Sequence, residues 1–221
     1  MTDFILKILV KGYNKGEKPT PATRRACGSA VSAVGIVANL LLAAIKLFAG
    51  VISGAISITA DALNNLSDAG SQVVSLISFK ISGKPADRDH PFGHARIEYV
   101  ASMIVSFLVL LVGFELLTDS ISKIFSPEPT TYSPIVIIIL LVSVLVKLWL
   151  FFFGRGAAKR ISSEVVRAAA TDSLSDAIAT AAVLAATLIH KFTGLETDAY
   201  MGLIVACLIL WAGIKILNDT K

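Results

Sequence analysis

Two short segments of this chain place oxygen-bearing side chains one helical turn apart within apolar surroundings. The segments read NNLSDA and DSLSDA. Residues i and i+4 lie on one face of a helix, so Asn64 pairs with Asp68, and Asp172 pairs with Asp176. If the two helices face each other, four oxygen ligands surround one point. Such an arrangement is suited to a divalent cation.

The composition around these segments is that of a membrane protein. The 221 residues are 55% hydrophobic and only 16% charged, and the mean hydropathy is +0.75. Soluble domains carry about 25% charged residues, so the composition argues against an ordinary soluble enzyme. It indicates that a lipid bilayer covers much of the surface. No nucleic-acid-binding motif is evident, and the membrane explains the basic residues better.

A membrane-spanning helix needs about 20 mainly apolar residues, and six segments meet this need. The predicted fold is therefore all-α, a polytopic membrane protein with six transmembrane helices. These helices cover 24–52, 57–82, 95–124, 133–156, 163–190 and 197–217. Residues 1–23 are predicted to be a short amphipathic cytoplasmic segment, and 24–221 the six-helix transmembrane domain. The small residues of CGSAVSAVGIVA predict close packing of the first of these helices.

The Lys and Arg residues concentrate on one side of this arrangement. With both termini in the cytoplasm, sixteen of the 20 lie on the cytoplasmic side, and only Lys123 and Lys191 lie on the outer side. Because positive residues favour the cytoplasmic face, the distribution predicts that both termini are inside. The remaining two, Lys46 and Lys147, lie within helices. We expect both side chains to extend to a membrane interface.

The acidic residues of the second and fifth predicted helices lie near the middle of the bilayer. Asp68 is about eleven residues into the second helix from the outer side, and Asp172 and Asp176 are about nine and thirteen residues into the fifth from the inner side. These helices run in opposite directions, so the two pairs meet at one depth. An ionised Asp costs about 2.5–3.5 kcal/mol at this depth, which requires a compensating partner.

A bound proton, a fixed cation or a mobile cation could compensate the negative charge of these aspartates. We expect no Lys or Arg to face the acids, which favours a mobile divalent cation that alternates with protons, moved by alternating access. Hydrogen bonding between helices remains a structural alternative. An intramembrane aspartyl hydrolase needs one Asp dyad and not two i, i+4 pairs, so we expect no enzyme. A non-transporting scaffold or sensor and a passive metal channel stay open.

The donor atoms narrow the choice of metal. Asn64, Asp68, Asp172 and Asp176 offer only oxygen, which suits Mn²⁺, Mg²⁺ or Ca²⁺, whereas imidazole and thiolate favour Zn²⁺ and copper. This favours manganese and leaves Fe²⁺, Co²⁺ and Zn²⁺ open. Asp61 lies one turn before Asn64 and extends the polar stripe. We expect Asp61 to line the pathway, and its direct coordination of metal stays open.

At these residues the chain resembles the cation diffusion facilitator family over nearly its whole length. The resemblance rests on ADALNNLSDAG in the second helix, PADRDHPFGH in the following loop and TDSLSDA in the fifth helix. It implies a homodimeric exporter of the cell membrane that exchanges a divalent metal for protons and has no cofactor beyond the transported ion. Zinc members usually carry His where this chain has Asp172, so the site resembles the manganese-exporting branch. A Zn²⁺ or Fe²⁺ exporter is the alternative.

The resemblance implies two further groups of residues. Asp87, His90 and His94 match a second metal site in the loop between the second and third helices, although HPFGH also reads as a rigid turn. Arg96 and Asp219 match positions that form a salt bridge at a cytoplasmic dimer interface in some members. The family usually continues after the sixth helix into a cytoplasmic domain, which we expect to be absent from this chain.

Overall fold

The computed structural model describes residues 2–10, 13, 19–81, 95–126, 130, 132–195 and 197–219. These residues form seven α-helices, which confirms the prediction of an all-α fold. The helices are α1 (Thr2–Leu9), α2 (Pro21–Ser53), α3 (Ile56–Ile81), α4 (Ala95–Phe125), α5 (Pro134–Ile161), α6 (Glu164–Thr193) and α7 (Asp198–Asp219).

The six predicted segments correspond to α2 through α7, and the largest difference is at the end of α5. The predicted helix ends at residue 156, within the GRGAAKR segment, but the whole segment is helical and α5 continues to Ile161. The helix ends where Ser162 adopts a left-handed backbone with a φ of 48°. A segment containing two glycines and three basic residues thus remains helical because Ala157, Ala158 and Ile161 pack into the core.

Four helices in the described part of the chain are long and apolar enough to cross a membrane, namely α2, α5, α6 and the Asp198–Lys215 part of α7. Helix α3 is not among them because Asp61, Asn64, Asp68 and Gln72 lower its hydropathy. The structure therefore supports a membrane protein with at least four apolar helices of spanning length, and six spans stay a prediction.

The helices pack mainly as three pairs, α2 with α3, α5 with α6, and α4 with α7. Helix α3 also contacts α4, α6 and α7, which places it inside the bundle. Its close approach to α2 depends on glycine, because a Cβ atom on Gly50 would lie only 2.9 Å from the backbone nitrogen of Thr59. The close packing predicted for the small residues of α2 is confirmed at Gly35, which lies directly against Gln72 of α3.

Helix α1 lies at one end of the bundle, which we call the α1 end. Leu6 of α1 packs in an apolar core with Phe153 and Ile161 of α5. The Tyr13 hydroxyl donates to Asp3 Oδ1 at 2.7 Å, and burial together with this hydrogen bond raises the pKa of Tyr13 to about 12. Arg160 of α5 lies 2.9 Å from Asp3 Oδ2. Ionic and apolar contacts together therefore hold α1 to the end of α5.

The opposite end of the bundle is organised around the buried carboxylate of Asp198, and we call it the Asp198 end. This carboxylate accepts hydrogen bonds from the backbone N–H groups of Ile56 at 2.8 Å and Ser57 at 3.2 Å. Lys123 Nζ, at the end of α4, lies 3.0 Å from the same carboxylate. Because an acid at a helix start satisfies otherwise unpaired N–H groups, Asp198 fixes the position of α3.

Large apolar side chains cover the outside of the bundle. Phe48, Phe107, Leu111, Leu145 and Trp211 are each at least 58% exposed. An exposed apolar surface of this extent is unusual for a soluble monomer. It is the surface expected of helices that face lipid.

Candidate metal centre

Three carboxylates converge between α3 and α6. One oxygen atom from each of Asp68, Asp172 and Asp176 lies within 4.8 Å of the other two. Two oxygens that share one hard divalent cation at 2.0–2.6 Å lie no more than about 4–5 Å apart. The cluster therefore has the dimensions of a single-ion site. Asp68 and Asp176 are buried, whereas Asp172 is exposed.

Asn64 lies beside these carboxylates. Its Nδ2 donates to Asp176 Oδ1 at 2.9 Å, which links α3 to α6. That hydrogen bond uses the amide nitrogen and does not involve the side-chain carbonyl oxygen. The structure thus brings together all four residues of the predicted central site.

Lys147 of α5 also lies in this cluster. Its Nζ is 2.7 Å from Asp68 Oδ2 and 2.6 Å from Asp176 Oδ2, and the side chain is fully buried. The expectation that Lys147 extends to an interface is therefore wrong, and so is the expectation that no fixed cation faces the acids. The cause is the end of α5, because a helix that runs from Pro134 to Ile161 places Lys147 at its middle.

Lys46 is the second lysine whose predicted position is wrong. Its Nζ lies 2.7 Å from Asp61 Oδ2 and donates to Thr180 Oγ1 at 2.9 Å. The Thr180 hydroxyl in turn donates to Asp61 Oδ1 at 3.1 Å. All three residues are at most 1% exposed. We call this group the Lys46 cluster.

The Lys46 cluster forms a second polar layer closer to the Asp198 end. Asp61 precedes Asp68 by two turns of α3, and Thr180 follows Asp176 by one turn of α6. Asp61 is not part of the carboxylate group that could hold a metal ion. Its carboxylate instead pairs with Lys46, so its predicted place along the pathway remains a prediction.

The sequence does contain a signal for the lysine that our prediction misplaced. The stretch PIVIIILLVSVLVKLWLFFFG has no other charged residue besides Lys147. A lone cation in so apolar a helix requires a partner or a route to water. An acid at the same depth on a neighbouring helix is the partner that Lys147 finds. Thr180 had no comparable signal, because buried hydroxyls are common in helices of membrane proteins.

Five predicted residues cannot be compared with the structure. Asp87, His90 and His94 lie outside the described residues. Arg96 and Asp219 fall within α4 and α7, but the description does not extend to their side chains. The second metal site and the salt bridge at a dimer interface stay predictions.

Residues 32–220 match the model of a protein family described as the cation efflux transmembrane domain. The chain belongs to the cation efflux family. The resemblance predicted from the two acidic segments is therefore confirmed, and the family is one of membrane transporters. The carboxylate group of α3 and α6 lies within the matched region.

Several curated members of the cation efflux family are similar to the chain. It is 34% identical over 194 residues to the manganese efflux system protein MneS of Bacillus subtilis, covering 88% of this chain and 67% of MneS. It is 32% identical over 159 residues to the magnetosome protein MamM of Paramagnetospirillum magneticum, covering 71% and 50%. The cation-efflux pump FieF of Escherichia coli is 29% identical over 187 residues, covering 85% and 62%. The chain thus matches between one half and about two thirds of each relative.

Proposed function

We propose that the chain exports a divalent metal ion, with Mn²⁺ preferred, in exchange for protons. The observation that carries the proposal is the meeting of three carboxylates, from Asp68, Asp172 and Asp176, inside an apolar helix bundle. Together with the Asn64 carbonyl they form an oxygen-only ligand set, which suits Mn²⁺ better than soft thiolate or imidazole sites would. The similarity to a manganese efflux protein supports the same metal.

The proposed route requires α3 and α4 to cross the bilayer together with the four apolar helices. With 26 and 31 residues, they measure about 39 and 46 Å at the helical rise, which exceeds the roughly 30 Å hydrocarbon thickness. Packing of α3 against α2, α4, α6 and α7 shields its polar side chains from lipid. The distribution of Lys and Arg supports a cytoplasmic position for both termini, and the α1 end then faces inward.

The carboxylate cluster and the Lys46 cluster lie at different depths in the bundle, and this arrangement suits alternating access. Asp172 is exposed and lies nearer the α1 end than Asp176, so it provides the entry for a cytoplasmic ion. The buried Lys46 cluster lies on the other side and closes the way to the Asp198 end. Release to the outside requires α3 and α6 to move so that this cluster separates. Protons entering from outside then compete for the carboxylates and displace the ion.

The resemblance supports three further parts of the proposal. The transporter is a homodimer in the cell membrane, and Arg96 and Asp219 form a salt bridge at its interface. Asp87, His90 and His94 bind a second metal ion in the loop after α3. The transported ion is the substrate, and no resident cofactor is needed.

Transport by the purified chain in proteoliposomes tests this function. With a proton-sensitive dye inside, we expect Mn²⁺ movement to be accompanied by proton movement in the opposite direction. Asp68→Asn and Asp176→Asn should each reduce Mn²⁺ transport more than about 100-fold, since loss of even an outer-shell partner costs 10–100-fold. Asp119→Asn makes the same chemical change at an exposed position and should leave transport unchanged. Mn²⁺ movement without proton counterflow would contradict the exchange mechanism.

A further inference from the structure

We propose that Lys147 is an intrinsic competitor of the transported ion, an ammonium group that binds the carboxylate oxygens which the metal needs. The inference rests on the proposed function and concerns the same site. Its basis is that Lys147 Nζ lies 2.7 Å from Asp68 Oδ2 and 2.6 Å from Asp176 Oδ2. Lys147 is 0% exposed, so the ammonium interacts with these carboxylates instead of bulk water.

The ammonium and a metal ion cannot hold these two oxygens at once. A divalent ion bound to both oxygens lies 2.0–2.6 Å from each, and Nζ lies almost as close to the same two atoms. Two cations that hold the same pair of oxygens lie close to each other, and they repel strongly in a buried site. Metal loading therefore requires the Lys147 ammonium to leave Asp68 and Asp176, and metal release allows it to return.

This competition gives the transporter a means of releasing its ion. A conduction or transport site must bind its ion well enough to load it but weakly enough to release it. Three carboxylates in an apolar bundle favour loading, and uncompensated buried carboxylates would disfavour release. The ammonium replaces part of the charge that departs with the metal, so α3, α5 and α6 keep a bound cation between them throughout the cycle.

The chain offers a matched control for the competing lysine. Lys46 is also fully buried and pairs at 2.7 Å with an aspartate, Asp61. It belongs to the adjacent polar layer and has no hydrogen bond to Asp68 or Asp176 among those of the described residues. Substitution of either lysine removes one positive charge from the same region, but only Lys147 occupies the proposed ligand oxygens. The comparison separates direct competition from a general electrostatic effect.

Calorimetric titration of the chain in lipid nanodiscs with Mn²⁺ tests the proposal. We expect Lys147→Gln to bind Mn²⁺ at least about ten-fold more tightly than the wild type, because two charge-assisted hydrogen bonds no longer compete. In proteoliposomes the same variant should show a lower KM and a lower maximal rate, since release becomes slow. Lys46→Gln should tighten Mn²⁺ binding several-fold less than Lys147→Gln does.

Unchanged or weaker Mn²⁺ binding by Lys147→Gln would overturn the proposal, and so would equal tightening by both lysine variants. A Lys147→Gln protein that folds only with Mn²⁺ present, and then releases Mn²⁺ to a chelator more slowly than the wild type, supports it. A variant that does not fold in either condition assigns Lys147 a structural role and contradicts it. If the wild type binds Mn²⁺, Asp68→Asn does not, and Lys147→Gln binds Mn²⁺ as the wild type does, then this inference fails and the proposed function stands. If the wild type binds no Mn²⁺, the proposed function fails as well.

Discussion

At the scale of single residues, the type of donor atom determines which metal the proposed site prefers. The proposed ligands include the carbonyl oxygen of Asn64 and, on the exposed side of the cluster, the carboxylate of Asp172. Replacing either by His introduces an imidazole ligand, which zinc binds more readily than manganese does. The metal preference is therefore a property of a few side chains, and single substitutions should change it.

We predict that Asn64→His and Asp172→His each increase Zn²⁺ transport relative to Mn²⁺ transport by about ten-fold, the low end of the effects seen when metal sites are altered. A competition series with Mn²⁺, Zn²⁺, Fe²⁺ and Cd²⁺ in proteoliposomes measures the ratio. Asp119→His, at an exposed position of α4, is the control and should leave the ratio unchanged. An unchanged ratio in both site variants would contradict the assignment of these residues as ligands.

Much of the residue-level arrangement could be predicted from the sequence, and its limit is informative. The spacing of Asn64 and Asp68, and of Asp172 and Asp176, is local information that helical geometry converts into shared faces. The apolar sequence of α5 indicates that Lys147 needs a partner, but the acids that it meets depend on where α5 ends and on how the helices pack, which no local pattern contains. The carboxylates could therefore be predicted from the sequence, whereas the lysine that pairs with them was missed.

At the scale of helices, the depth of the α3 side chains depends on how the start of α3 is held. Asp198 accepts hydrogen bonds from Ile56 and Ser57 and pairs with Lys123. We predict that Asp198→Ala lowers the free energy of unfolding by about 3–5 kcal/mol, because the buried Lys123 ammonium loses its carboxylate and keeps only the Gly54 carbonyl, and two helix N–H groups lose their acceptor. Thermal unfolding of the detergent-solubilised protein measures the change. A stability equal to that of Asp119→Ala would show that this cap contributes little.

The close approach of α2 and α3 gives a second prediction at this scale. A methyl group on Gly50 would lie 2.9 Å from the Thr59 backbone nitrogen, so the helices must separate to accommodate it. We predict that Gly50→Ala destabilises the fold by about 1–3 kcal/mol, the usual cost of overpacking. Ala33→Val adds two methyl groups on the exposed face of α2 and should have little effect. Equal melting temperatures for the two variants would exclude tight packing at Gly50.

The helices themselves were predictable because long apolar segments and their breaks are local features of the sequence. The helix pairing was not, since it depends on contacts between segments that are distant in the chain. The GRGAAKR segment shows the limit at helix ends, because charge and glycine indicated a loop where packing of Ala157 and Ile161 maintains a helix.

At the scale of the whole molecule, the proposed direction of transport depends on the orientation of the bundle. The α1 end is proposed to face the cytoplasm, so exposed residues at the two ends should be accessible from opposite sides. Lys159 is exposed near the α1 end, and Leu195 is 60% exposed beyond the end of α6. The native cysteines, Cys27 and Cys207, can be replaced to give a clean background.

We predict that a membrane-impermeant maleimide labels Leu195→Cys in intact cells and labels Lys159→Cys only after the membrane is opened. The positive-inside distribution of Lys and Arg is the reason for this expectation. Labelling extents can be read by gel shift, with the cysteine-free chain as the control. The reverse labelling pattern would show that the topology is inverted. Labelling of both sites from outside would show that the chain does not cross the membrane between them.

The proposed transport depends on one divalent ion that the carboxylates of α3 and α6 bind within the membrane. Anomalous scattering from crystals of the chain grown with Mn²⁺ tests it most directly, because the signal locates manganese without assuming its ligands. We predict one strong peak about 2–2.5 Å from oxygens of Asp68, Asp172 and Asp176, with Lys147 Nζ displaced from both of its carboxylate partners. A manganese position remote from these residues, or the absence of a peak between α3 and α6 at saturating Mn²⁺, would contradict it.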